Sequence, residues 1–189
     1  MNKILNILGV CVWIFLASYR LGVSWKMGSL FPLFLALQSG MIAYFLATRS
    51  KPFKNSPIYQ QIFAWFAVID PWFLQIKGNC TSIFENLAFL GVLLTLWALL
   101  NLKRSFGIAP ADRGLVVSGP YKYIRHPMYS GEMLTILGGA LGCISVWNLF
   151  VVVATFLIFY MRIIWEERII KGYNEYKRKV RFRLIPYVW

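Results

Sequence analysis

The chain has 189 residues, of which 59% are hydrophobic and 14% are charged, and its mean hydropathy is +0.60. This composition excludes an ordinary soluble domain, because such domains carry more charged and fewer apolar residues. The formal charge of +13 does not indicate nucleic-acid binding, since the basic residues stand between apolar runs and form no continuous basic face. The sequence therefore predicts an integral membrane protein.

Several apolar runs approach the roughly 20 residues that a helix needs to span a bilayer. In chain order they cover residues 4–19, 29–48, 58–76, 82–102, 128–143 and 146–165. We predict an all-α, polytopic transmembrane helical bundle of about six spans, or five if one early run lies at the membrane interface. The first run is kept as a helix because no cleavage site typical of a signal peptide follows it.

The distribution of Lys and Arg predicts the orientation of the bundle. If both termini are cytoplasmic, all Lys and Arg residues except Arg20, Lys26 and Lys77 fall on the cytoplasmic side. Such an excess is typical of cytoplasmic loops. We therefore expect a multi-pass protein with both termini and its active site in the cytoplasm.

The first half of the chain, residues 1–102, is interpreted as four transmembrane helices with short connections. Within the third run, Asp70 precedes Pro71. We expect Asp70 to cap a helix that restarts after Pro71, because proline suits the first helical position. The alternative is a polar contact along a substrate path, since an acid inside a membrane usually faces protein or water.

The sequence contains three cysteines, Cys11, Cys80 and Cys143, which lie in or beside apolar runs. Their odd number and scattered positions specify neither a disulfide pairing nor the spacing of a metal site. We interpret them as packing residues and expect no metal.

The second half, residues 103–189, mixes two spans with charged segments, so the chemistry is expected there. Its polar segment 103–125 is interrupted by Pro and Gly and contains residues that can pack onto other parts of the chain, among them Leu115 and Val116. The turn at 144–145 is short enough to make the last two spans an antiparallel hairpin. Three glycines in this hairpin, Gly138, Gly139 and Gly142, would permit close helix approach.

The tail that follows the last span is strongly charged but keeps apolar and aromatic residues at roughly helical spacing, including Ile169, Tyr173 and Tyr176. This pattern predicts a C-terminal amphipathic helix. Its simplest role is to lie on anionic lipid.

Two polar clusters are candidates for chemistry. Arg125, His126 and Tyr129 stand at the start of a span, where free backbone N–H groups favour an anion. Alone, a histidine before a proline at a helix start, such as His126, is more often a cap or packing group than a catalyst. Arg162 and Glu166, one helical turn apart near the end of the last span, can form an ion pair.

The helical hairpin brings these two clusters to the same membrane face, so we expect His126 and Glu166 to meet. Anion-binding donors would then face carboxylates across one site. Such a site matches a zwitterionic amino-acid ligand.

At these residues the chain resembles the isoprenylcysteine carboxyl methyltransferase family and its phospholipid methyltransferase relatives. The resemblance covers roughly residues 103–189 and rests on the order and spacing of several short motifs. These are Gly119 and Tyr121, Arg125-His126-Pro127-Met128-Tyr129, Arg162, Glu166-Glu167, Tyr173 and Tyr176, and Arg183-Leu184-Ile185-Pro186.

The resemblance implies that S-adenosylmethionine is the cofactor and that it is bound without a Rossmann motif. The cofactor-binding residues it implies are Leu115, Val116, Tyr121, His126, Pro127, Met128, Tyr129, Glu166 and Glu167. It also links Arg162 to the methyl acceptor, whose carboxylate it would steer. For an amine acceptor, His126 is the expected catalytic base, because its unperturbed pKa suits that task.

The predicted function is methyl transfer to a lipophilic or prenylcysteine-like acceptor that enters from the lipid bilayer. The alternative is an NADPH-dependent sterol-type reductase of the membrane, because those enzymes share Arg-His-Pro-x-Tyr and an ending like that of this chain. The presence of Arg162 with Glu166 and Glu167 favours the methyltransferase. A third hypothesis is a non-catalytic scaffold whose charged tail binds anionic lipid.

Overall fold

The computed structural model describes residues 3–75 and 80–188, apart from the side chains of residues 3–5 and 82. Nearly all of the regular structure is helical, which confirms the predicted all-α bundle. The α-helices are α1 Lys3–Met27, α2 Leu30–Thr48, α3 Ile58–Ile69, α4 Glu85–Leu102, α5 Pro127–Gly142, α6 Val146–Ile169 and α7 Tyr173–Lys179. A short antiparallel ladder pairs β1 Lys54–Asn55 with β2 Ala111–Asp112.

Four helical segments are long and apolar enough to cross a membrane. They are Asn6–Met27, Leu30–Thr48, Glu85–Ser105 and Val146–Ile169. Large apolar side chains on them face outward, such as Phe15 and Leu149, which are 68% and 63% exposed. A bilayer would cover such side chains, and the protein is therefore a helical membrane protein.

Two further helices, α3 and α5, are shorter, with 12 and 16 residues. A 3-10 turn, Asp70–Phe73, extends α3. Residue 76, the end of the predicted third span, and Lys77 lie outside the described residues.

The closest helix packing joins α4 to α5. A Cβ atom on Gly131 would lie 2.6 Å from the carbonyl oxygen of Gly91, and one on Gly138 would lie 2.6 Å from the backbone nitrogen of Ala88. Only glycine permits this approach of two backbones. The predicted packing role of Gly138 thus serves the contact with α4 and not the hairpin formed by α5 and α6.

Cys80 and Cys143 form a disulfide bond, so the interpretation of these two cysteines as unpaired packing residues is wrong. The bond joins the segment before α4 to the residue after α5, beside a backbone hydrogen bond from Thr81 N to Gly142 O of 2.8 Å. The pairing depends on helix packing across 63 positions of sequence, which the spacing of the cysteines does not reveal. Cys11 is free and exposed.

No α-helix restarts directly after Pro71, so the predicted cap by Asp70 is wrong. Asp70 instead follows the last residue of α3, where its backbone N–H donates to Phe66 O, and it is the first residue of the 3-10 turn. Its carboxylate instead accepts a hydrogen bond from the Thr155 hydroxyl of α6. The packing of α3 against α6 supplies this partner, and the sequence around Asp70 carries no sign of it.

The C-terminal segment folds back over the start of α5. The chain turns at Gly172, where φ is 79°, and α7 is shorter than the predicted tail helix. Tyr173 and Tyr176 are buried against protein and do not face lipid. Beyond α7, the backbone nitrogen of Arg125 donates to Phe182 O at 2.9 Å, which anchors the returning chain.

Candidate active site

The predicted meeting of His126 and Glu166 is confirmed. His126 immediately precedes α5, Glu166 lies near the end of α6, and 3.9 Å separates His126 Nδ1 from Glu166 Oε2. The Tyr129 hydroxyl donates a hydrogen bond to the same carboxylate. The hairpin formed by α5 and α6 therefore brings both clusters into one site.

The second carboxylate of the pair, Glu167, is held by cations on two sides. Arg125 Nη1 lies 3.0 Å from its Oε1, and Arg183 Nε donates to the same oxygen at 3.0 Å. His126 Nε2 lies 3.4 Å away. Glu167 thus ties the returning tail to the start of α5.

Aromatic groups enclose the His126 ring. The Tyr173 hydroxyl lies 2.9 Å from His126 Nε2, and the Tyr129 and Tyr173 rings stack on the imidazole with centroid separations of 5.8 and 6.1 Å. Burial raises the pKa of Tyr173, so its hydroxyl stays protonated at neutral pH. His126 is therefore a buried group with a fixed orientation.

A pocket, called the loop pocket here, lies between the segment after α4, the start of α5, the end of α6 and α7. It brings together most of the predicted cofactor-binding residues, namely Leu115, Val116, Tyr121, His126, Met128, Tyr129 and Glu166. The other two lie beside it, Pro127 as the first residue of α5 and Glu167 in the ion-pair cluster.

Arg113 also lines the loop pocket, and the sequence analysis assigned it no role. It is 7% exposed, and its Nε has no hydrogen-bond partner within the described part of the chain. Burial and the charge of Arg49 lower the pKa of Arg113 to about 10, so it remains charged at neutral pH. In the sequence, the only sign of a functional role for Arg113 is its position in a long irregular loop.

Asp112 fixes the loop that carries Arg113. One carboxylate oxygen accepts from Gly114 N at 3.0 Å, and the other accepts from Lys171 N, beyond the end of α6, at 3.1 Å. A Cβ atom on Gly107 would lie 2.5 Å from Arg113 Nη1, so the guanidinium packs directly over that glycine. The loop therefore holds Arg113 in place on the pocket wall.

Arg162 lies at the border of a second cavity. Its Nη2 donates to Ile108 O at 2.6 Å and lies 4.0 Å from Glu166 Oε1, which confirms the predicted ion pair. Its guanidinium carbon lies 5.0 Å from the centroid of the Tyr129 ring. These contacts fix the arginine, which is 4% exposed.

This second cavity, called the helix cavity here, lies between α1, α2, α3, α5 and α6. Phe106 and Met128 line both the helix cavity and the loop pocket, so the two spaces adjoin. Glu132 of α5 also lines the helix cavity, where it makes no hydrogen bond or ion pair with any described residue. An acid within an apolar helix was the signal that could have singled it out.

The charges of the loop pocket suit a zwitterionic ligand. Glu166 offers a carboxylate for an ammonium group, and Arg113 offers a guanidinium for a carboxylate. Leu115 and Val116 add an apolar wall. The arrangement can therefore hold an amino-acid group at one end and an apolar or aromatic group beside it.

A search of curated proteins finds no match to this chain. A family model described as phospholipid methyltransferase matches residues 80–175. The matched segment is half of the chain and includes α4, α5, α6 and the start of α7. It contains the motifs of the methyltransferase resemblance from Gly119 to Tyr173, whereas Tyr176 and Arg183-Leu184-Ile185-Pro186 lie beyond it. The chain therefore belongs to the phospholipid methyltransferase family and is a membrane methyltransferase.

Proposed function

We propose that the protein transfers a methyl group from S-adenosylmethionine to a lipophilic acceptor, with the cofactor in the loop pocket and the acceptor in the helix cavity. One observation carries the proposal. A pocket with charged groups for a zwitterion adjoins a cavity between apolar helices, and Phe106 and Met128 line both.

The loop pocket fits the amino-acid end of the cofactor. Glu166 would bind the ammonium group, and the unpartnered Nε of Arg113 supports a role in binding the carboxylate. Leu115, Val116 and Tyr121 would contact the remainder, as the family resemblance implies. Bound there, the cofactor would supply a methyl group already activated on a sulfonium.

The residues of the protein then have to align the acceptor and exclude water. Arg162, held by Ile108 O and Glu166, would steer an acceptor carboxylate. For an amine acceptor, His126 remains the predicted base. Glu132 is a second candidate for taking up the amine proton, because it lines the cavity that the acceptor would occupy.

The acceptor enters from the bilayer in this proposal. The described helices leave large apolar side chains facing outward, and the helix cavity lies between these helices. The family description names phospholipids, which supports a lipid acceptor. A prenylcysteine-like acceptor, the other class implied by the resemblance, would present its carboxylate to Arg162.

The loop pocket faces the cytoplasm in this proposal, and the bundle crosses the membrane about six times. The Lys and Arg distribution favours this orientation. The disulfide between Cys80 and Cys143 supports it independently, since it lies at the end of α5 opposite to His126 and disulfides form in oxidising compartments.

Equilibrium binding tests the cofactor assignment. We expect the purified protein in neutral detergent to bind S-adenosylhomocysteine, as measured by isothermal titration calorimetry, and not NADPH. Glu166→Ala and Arg113→Gln should each weaken binding about tenfold or more, because each removes a charge-assisted hydrogen bond. The control is Arg178→Gln, which removes an exposed cation on α7.

Undiminished binding in Glu166→Ala would overturn the assignment of Glu166. Binding of NADPH in place of S-adenosylhomocysteine would support the reductase hypothesis. Binding of neither would favour a scaffold and refute the proposed activity.

A further inference from the structure

Arg20 lies just after the first predicted span, residues 4–19, but within a helix of the structure that is long and apolar enough to cross a membrane. It belongs to the apolar segment Asn6–Met27. Its Nη1 donates to Ser39 Oγ at 2.6 Å and to Leu35 O at 3.3 Å. No carboxylate among the described residues pairs with it. A charge within the membrane is costly, so an arginine at such a position indicates a function or a missing partner.

The guanidinium of Arg20 is held by α2. Its Nη1 donates to Ser39 Oγ, which lies further from the connecting turn at Gly28 than Arg20 does, and to Leu35 O, which lies nearer to that turn. Ser39 is fully buried and donates in turn to Leu35 O at 2.8 Å. The guanidinium is therefore fixed by two contacts with α2 and lies, partly buried, on the wall of the helix cavity.

Other polar groups of the same cavity also lack partners. Trp13 Nε1 and Gln38 Oε1 are buried and make no hydrogen bond with the described residues. Buried polar atoms without partners are rare and costly, so several of them around one cavity indicate a polar occupant. Trp13 adds a second donor to the lining of the same cavity, and such donors suit an anion.

Glu132 does not neutralise Arg20. It lines the cavity from α5, yet no ion pair joins it to a cation in the described part of the chain. Arg20 and Glu132 thus line the same cavity without an ion pair between them, so this carboxyl group does not occupy the donors of Arg20. A guanidinium anchored through one nitrogen keeps its other donors for a carboxylate or phosphate, whose oxygens match the planar fork.

We infer that Arg20 binds an anionic group, a phosphate or a carboxylate, of the acceptor in the helix cavity. The inference rests on the proposed function, since it takes this cavity as the acceptor site. Arg20 lines the helix cavity and not the loop pocket, so the group it binds is distinct from the atom that receives the methyl. Arg20 also lies outside the matched family segment 80–175. Acceptor choice would therefore depend on a helix that this family match does not cover.

Binding of single-chain amphiphiles tests the inference. The probes are dodecyl phosphate, dodecanoate and uncharged dodecanol, added to the purified full chain in neutral detergent at neutral pH. We expect at least one anionic probe to bind more tightly than dodecanol. Arg20→Gln should weaken anionic binding about tenfold or more and leave dodecanol unchanged. Arg20→Lys keeps the charge but loses the planar fork, so its affinity for the anionic probes should lie between those of the wild type and Arg20→Gln.

The matched control is Lys26→Gln, an exposed cation on the same helix. It should leave all three affinities unchanged. A stronger response to dodecyl phosphate would indicate a phospholipid headgroup, and a stronger response to dodecanoate would indicate a carboxylate acceptor. Equal anionic binding by the wild type, Arg20→Gln and Arg20→Lys would overturn the inference.

S-adenosylhomocysteine binding, measured on the same preparations, separates this inference from the proposed function. Retained binding in Arg20→Gln shows that the variant is folded and its cofactor site intact. If the wild type binds anionic probes through Arg20 but does not bind S-adenosylhomocysteine, the anion site stands and the methyltransferase proposal fails. If the wild type binds S-adenosylhomocysteine but does not bind anionic probes through Arg20, the anion site is refuted and the methyltransferase proposal stands.

Discussion

The family-matched segment and the first two helices differ in how one of their charged groups is paired and in the space around one of their helical glycines. In the matched segment, Glu167 is paired with two arginines, and Gly131 lets the backbones of α5 and α4 touch. In α1 and α2, Arg20 keeps free donors, and nothing lies near the Cβ position of Gly40.

This difference indicates that the two regions have separate roles in binding. The segment from α4 to α7, called the frame here, forms most of the loop pocket, and its helices α4 and α5 touch at Gly131. The α1–α2 pair forms a wall of the helix cavity and leaves polar groups open to a ligand. A cofactor of constant chemistry suits the first arrangement, and acceptor selection suits the second.

The largest expected effect concerns the disulfide of the frame. Replacing Cys80 and Cys143 together by serine should lower the free energy of unfolding by about 2–4 kcal/mol, because the unfolded chain gains conformational freedom. Thermal unfolding in detergent measures the change. Cys11→Ser is the control and should have little effect, since Cys11 is free and exposed. Reaction of both Cys80 and Cys143 with a maleimide in unreduced protein would contradict the pairing.

A smaller effect is expected from widening the contact between α4 and α5. Gly131→Ala should cost about 1–3 kcal/mol of stability, because the new methyl group would meet Gly91 O at 2.6 Å and Thr95 N at 2.7 Å. The matched change Gly40→Ala, in the open wall, should be neutral or stabilise by up to about 1 kcal/mol. Equal losses of stability in Gly131→Ala and Gly40→Ala would show that the surroundings of these two glycines do not differ as described.

The smallest effect concerns the attachment of α7 to the frame. The Tyr176 hydroxyl donates to Tyr121 O at 2.6 Å, and both residues are buried. Tyr176→Phe should cost about 1 kcal/mol of stability. It should also weaken S-adenosylhomocysteine binding a few-fold, because Tyr121 lines the loop pocket. Tyr187→Phe, at a 91% exposed side chain, is the control. Unchanged binding in Tyr176→Phe would separate α7 from the site.

Parts of the site were predictable because they depend on local geometry. The short turn between α5 and α6 forces an antiparallel hairpin, and this alone brings His126 to Glu166. The pairing of Arg162 with Glu166 follows from the helical repeat. The pocket wall at Leu115 and Val116 was expected from the family resemblance, which concerns the same segment.

Other parts were not predictable because their partners are remote in the sequence. Arg113 reaches the pocket only because Asp112 ties its loop to the end of α6. Thr155 meets Asp70 only through the packing of α3 on α6. No periodic pattern near either residue encodes the contact, which explains the missed role and the wrong cap.

The sequence by itself determined that this is a helical membrane protein, since composition and span length suffice for that conclusion, and the resemblance of its motifs to a known family indicated a methyltransferase. Only the tertiary structure decided which polar groups share a cavity and which cysteines pair. The physical reason lies in the spans themselves. Helices such as α2 and α4 are apolar on nearly every side, so their patterns do not specify which face meets which neighbour. Close approach at Gly91, Gly131 and Gly138 settles that choice for α4 and α5. The packing of α1 and α2 on the other helices brings Arg20 and Glu132 to one cavity.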